Sequence, residues 1–170
     1  MVPTWDLVIL VFFAASLVYG FLMGREKILI TLLGAYVGLV IANQWGASAF
    51  ALLTGDATIF NDSVSGTLSV FTVKVVLFAL VILVVALKGG LLSHAFAGGR
   101  GLMGMATQVA FSLLSAALIA GSVIDFLPAE TKNQIVEGSS LVVGPLVTYY
   151  AWWLILPIVV MAVTGFQHDE

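Results

Sequence analysis

Lys74 stands inside an otherwise apolar run, "SVFTVKVVLFALVILVVALK", from Ser69 to Lys88. A lysine in that setting can pair with a carboxylate, fixing helix register or marking a polar pathway. Alternatively, it can lay its alkyl stem along the helix and leave the ammonium among lipid headgroups. A cation at the centre of a span costs about 2.5 to 3.5 kcal/mol on insertion scales, and less toward the ends. Counted from Leu68, Lys74 lies roughly 9 Å into its run at about 1.5 Å per residue. Asp6, which begins the first apolar run, is the carboxylate at matching depth, so Asp6 and Lys74 form the candidate intramembrane ion pair. Asp62 is the second choice. Asp6 also has a simpler role open to it, because an acidic residue in the first turn of a helix is stabilised by the helix dipole.

Other chemistry is sparse. His94 in "GGLLSHAFAGGRG" has no second histidine or carboxylate at ligand spacing, so it reads as a loop histidine and no metal site is expected. Gly98, Gly99 and Gly101 surround Arg100. No strand pattern precedes them and no Lys-Ser/Thr follows, so the phosphate-binding loop pattern is absent. Asn61-Asp62-Ser63 matches a glycosylation acceptor, which matters only in a secretory compartment. The chain has no cysteine, which excludes disulfides and thiolate chemistry. HExxH and GxSxG patterns are missing. With no catalytic constellation, the expectation is a protein that is not an enzyme and that takes no cofactor, metal or nucleic acid.

The elements that position these residues follow from composition. Of 170 residues, 61% are hydrophobic and 9% charged, and mean hydropathy is +1.16. Soluble domains are about a quarter charged, and a globule of this size cannot hide so much apolar surface. Five apolar runs approach the ~20 residues a helix needs to cross a bilayer: Trp5–Met23, Ile28–Trp45, Leu68–Leu87, Leu102–Ile124 and a stretch within Leu141–Val163. Spanning backbone must satisfy its own hydrogen bonds, so these are helices. The expected fold is an all-α, polytopic transmembrane bundle of about five spans, forming one membrane domain over residues 1–170. Within the fifth run, Pro145, Pro157 and "YYAWW" (Tyr149 to Trp153) predict a kinked span starting near Leu141. An interfacial helix followed by a short span is the alternative.

The loops set direction. "GREK" (Gly24 to Lys27) is a tight basic turn, and Lys88 and Arg100 flank the loop after the third run. The Gly46–Gly66 loop has Asp56 and Asp62 without lysine or arginine, and Asp125–Ser140 has Lys132 alone. Arg25, Lys27, Lys88 and Arg100 are therefore the topology-setting residues. They predict an outside amino terminus and a cytoplasmic carboxyl terminus. The first run has its positive charge after it rather than before it, the reverse of a secretory signal, and reads as a retained anchor.

Helices in lipid meet where small residues let backbones approach. Gly20 and Gly24, then Gly34, Gly38 and Ala42, then Ser112, Ala116 and Ala120 recur four apart and are the expected packing positions. They serve either packing within one bundle or an oligomer face.

The stretch "WDLVILVFFAASLVYGFLMGREKILITLLGAYVGLVIA" resembles the opening of the colicin V production protein (CvpA) family. Asp6 matches that family's early acidic residue, Gly20 and Gly24 its spaced glycines, Arg25 and Glu26 its charged turn, and Gly34 the central glycine of its second helix. "GGRGLMG" supplies Arg100 and Gly104 ahead of the fourth helix, although Gly99 replaces the family's aspartate and the glycine spacing is off by one. The likeness covers roughly residues 5–124, and the fifth run departs from a four-span pattern, so the resemblance is to a divergent member. It implies a small protein of the bacterial inner membrane, non-enzymatic, supporting toxin or peptide export or envelope homeostasis. The alternative is a small channel or transporter component with Lys74 on its pathway. Expected partners are the lipid bilayer and further copies of the chain or other membrane proteins.

Overall fold

The computed structural model describes residues 5–55, 69–88, 102–138 and 141–166. These are helical throughout apart from short turns, and no strand occurs among them. The elements are α1 (Trp5–Gly55), α2 (Val70–Lys88), α3 (Leu102–Asp125), α4 (Ala129–Gly138), α5 (Val143–Thr148) and α6 (Tyr150–Phe166). Three stretches are long and apolar enough to cross a membrane: Trp5–Leu53, Val70–Lys88 and Gly104–Asp125. Tyr150–Thr164 is apolar but shorter.

α1 is not one rod. Gly24 has φ 82° and ψ 169°, a region essentially reserved for glycine. The chain folds back there, because Tyr19 Oη and Thr31 Oγ1 lie 3.4 Å apart, whereas twelve residues of continuous helix would hold them roughly 18 Å apart. The first arm is 5–23 and the second 25–55. Gly24, expected as a packing position, is instead the turn residue, and a Cβ there would meet nothing within 4 Å. The second arm continues to Gly55 rather than ending near Trp45. "GASAFALL" after Trp45 is rich in the strong helix formers alanine and leucine, so nothing forces an end.

Two antiparallel contacts build the bundle. On the second arm, Gly34 faces Val85 of α2, Gly38 faces Phe78 and Gly46 faces the stem of Lys74. On the first arm, Gly20 sits so close to Ser112 of α3 that an added Cβ would collide with the hydroxyl. Ala42 and Ala116 are fully buried and Ser112 nearly so, while Ala120 packs beside a second core cluster of Ile9, Ala117, Ile124 and Val143. The main core joins Ile28, Leu32, Ala35 and Leu39 of the second arm to Phe78, Phe111, Leu118 and Phe126. Phe78 and Phe126 meet edge to face at 5.6 Å, a favoured aromatic geometry.

The acidic segment after α3 folds as α4 rather than remaining a loop. Its residues Glu130, Lys132, Gln134 and Glu137 favour helix, and buried Ile135 anchors it to the second cluster. The fifth run divides into α5 and α6 at Tyr149, whose φ −103° and ψ 24° leave the helical region. The expected single kinked span is thus two helices, with Pro157 buried inside the second.

Glycine roles separate by substitution. Gly24→Ala should cost about 1 to 3 kcal/mol from backbone conformation alone, although nothing touches the new methyl. Gly38→Leu should cost a similar amount through overpacking, with Gly38→Ala milder. Gly138→Ala, in open space, should be neutral or slightly stabilising. Thermal unfolding in detergent reads all four.

Candidate functional site

One end of the bundle holds Asp6, Lys74, Asp125 and Lys132. Trp5 and Ile124 line one surface hollow, Phe126 meets Phe78, and Ser122 Oγ lies 3.2 Å from Tyr150 Oη. The starts of α1 and α6 and the first half of α2 therefore surround the end of α3, and Lys132 of α4 is here too. The opposite end carries the Gly24 turn with Arg25 and Lys27, and Lys88 at the end of α2. Arg25 packs its guanidinium over Phe111 at 5.9 Å. Arg100, His94, Asp56, Asp62, Gly98, Gly99 and Gly101 lie outside the described residues.

Asp6 and Lys74 are not joined. The Asp6 carboxylate accepts hydrogen bonds from the backbone N–H groups of Val142 at 3.0 Å, Val143 at 3.1 Å and Leu141 at 3.4 Å. The first N–H groups of a helix have no partner within it and carry partial positive charge. Asp6 supplies both acceptor and countercharge to α5, a helix distant in sequence, rather than to its own first turn. This ties the start of the first arm to the segment before α6.

Lys74 faces the second arm of α1. Its stem crosses Gly46, where a Cβ would collide with it. Its ammonium reaches Asn43 Oδ1 at 3.5 Å and lies 5.6 Å from the centroid of the Phe126 ring, within cation–π range. Matching depth alone did not identify this arrangement, because depth says nothing of direction around the helix. The signal lay in continuing the stripe of Gly34, Gly38 and Ala42 by four more residues to Gly46. The ion pair at this end is Lys132 to Asp125 at 2.8 Å, with both side chains about one-third exposed, a setting in which such pairs contribute little.

Away from that end, polar side chains join helices to one another. Gln108 Nε2 donates to the Gly20 carbonyl, and Ser16 Oγ donates to the Ser112 carbonyl at 3.1 Å. Tyr36 Oη donates to the Leu154 carbonyl at 2.6 Å, next to the Trp153 carbonyl that Pro157, lacking an N–H, leaves without its i+4 donor. Gly121 leaves room for the Tyr150 ring. Gln108 and Tyr36 were legible as polar groups within apolar runs, but their targets are backbone carbonyls that no residue pattern marks. Among the described residues, no three His, Asp or Glu side chains come together as a metal site would need.

Fold and composition define a helical membrane protein. No family model, curated protein or solved structure matches the chain.

Three substitutions test these ties. Tyr36→Phe removes the donor to Leu154 and should destabilise by about 1 kcal/mol. Asp6→Ala and Lys74→Leu should each lower thermal stability, and their effects should add in the double variant, because the two residues share no contact. A double variant clearly milder than the sum would mean that they pair after all.

Proposed function

We propose that the chain is a five-span, non-enzymatic protein of the bacterial inner membrane that supports peptide-toxin export or envelope homeostasis, as a divergent relative of the colicin V production proteins. The five crossings are the two arms of α1, α2, α3 and α6. The resemblance over roughly residues 5–124 motivates the role. The observation that carries the non-transport reading is the use made of intramembrane polar groups. Gln108, Ser16 and Tyr36 are bonded to the backbone of neighbouring helices, whereas a translocation pathway keeps polar groups turned to a water-filled cavity.

A small channel or transporter component is the second reading. It is favoured by the Lys74 ammonium placed among α2, the second arm and the end of α3. Flux measurements on proteoliposomes separate the two. Ion or peptide flux no greater than in empty vesicles, with restored resistance to envelope stress when the gene is returned to a deletion strain, supports the first reading. Flux abolished by Lys74→Leu supports the second.

Orientation is tested with single cysteines, which stand out cleanly because the chain has none. Glu130→Cys should react with an impermeant thiol reagent in intact cells, and Lys27→Cys should react only after lysis. The opposite pattern would reverse the proposed topology.

A further inference from the structure

A groove of about 380 Å3 runs along α2, bounded by the first arm of α1 and floored by α3. Phe12 and Tyr19 form one wall, Val75 and Leu83 the other, and Ile119 and Val123 the floor. From Val75 to Ala86 it extends roughly 16 Å at about 1.5 Å per residue, close to half the ~30 Å hydrocarbon thickness. It runs from beside Lys74 almost to Lys88 at the far end of the helix, a length within the reach of one acyl chain. At one end, Tyr19 and Thr31 turn their hydroxyls toward each other, leaving an otherwise apolar trough.

Lys74 stands at the other end. It precedes Val75 on α2, and its ammonium lies over Phe126, whose ring abuts the groove residue Phe78. Counted from Val70, the residue is only roughly 6 Å into its helix. Its hydrogen-bond partner there, Asn43, is neutral, and the ion pair found among the described residues does not involve it. A cation with a neutral partner, near the start of its helix and at the end of an apolar trough as long as an acyl chain, is complementary to a molecule with an anionic head and a long chain.

We propose that the groove and Lys74 together bind one anionic phospholipid, with an acyl chain along α2 and the phosphate on the Lys74 ammonium. Asn43 positions the amine, and the stem is held in the gap left by Gly46. The site is independent of any role in export.

Native mass spectrometry of the whole chain in detergent tests this with phosphatidylglycerol and phosphatidylcholine of identical acyl chains, supplied equally. The wild type should retain phosphatidylglycerol over phosphatidylcholine by about fivefold, as expected for one lysine acting on an anionic lipid. Lys74→Gln should bring that ratio close to one, and Lys74→Arg should keep it. Lys88→Gln, at the opposite end, should leave it unchanged, which separates the site from general attraction to basic residues. Ala79→Trp fills the groove without touching the lysine and should lower retention of phosphatidylglycerol, so the proposal stays testable if Lys74→Gln does not fold. Equal retention of the two lipids by the wild type would overturn the assignment, as would a preference that survives both Lys74→Gln and Ala79→Trp.

Discussion

Where a helical ladder opens in hydrocarbon, the freed backbone groups must find a partner inside the protein, because no water is there to supply one. Among the described residues, three side chains reach backbone groups of distant segments at or beside such irregular points. Before the Gly24 turn, Gln108 of α3 donates to the Gly20 carbonyl. Around Pro157, Tyr36 donates to the Leu154 carbonyl. At the start of α5, Asp6 accepts from three successive N–H groups. Each of these bonds joins segments far apart in sequence. The irregular points thus carry part of the polar contact between segments, alongside Ser16–Ser112 and Lys74–Asn43, and apolar packing fills the space between.

The small residues serve the same arrangement. Gly20 brings the first arm against Ser112, and Gly34 and Gly38 bring the second arm against α2. Close approach shortens the reach between a freed carbonyl and its donor. α1 thus acts as the spine of the bundle, with α3 on its first arm, α2 on its second, and α6 held to it through Tyr36.

Much of this was readable in advance. The all-helical class, the apolar runs and the packing role of Gly20, Gly34, Gly38, Ser112 and Ala116 follow from hydropathy and four-residue spacing, which helix geometry makes nearly one-dimensional. Three features were not readable on that basis. Asp6 and Lys74 share a depth but not a direction, and direction depends on how several helices pack. The donors Gln108 and Tyr36 act on carbonyls, which every residue has. Helix α4 was hidden by its polarity: most of its residues are hydrophilic, so a search for apolar runs passes over it. Gly24 shows the converse limit, since spacing assigned it to packing when its backbone conformation made it a turn.

That turn also governs how the protein meets bilayers of different thickness. A single residue joins the two arms, and the Tyr19–Thr31 contact joins them again just beyond it. No slack separates them, so one arm cannot slide along its axis while the other stays in place. A helix linked by long loops answers a thinner or thicker membrane by shifting or tilting alone. Here the arms must tilt together and carry along the α2 and α3 surfaces packed on them, so a mismatch in thickness at the first arm is felt across the whole bundle.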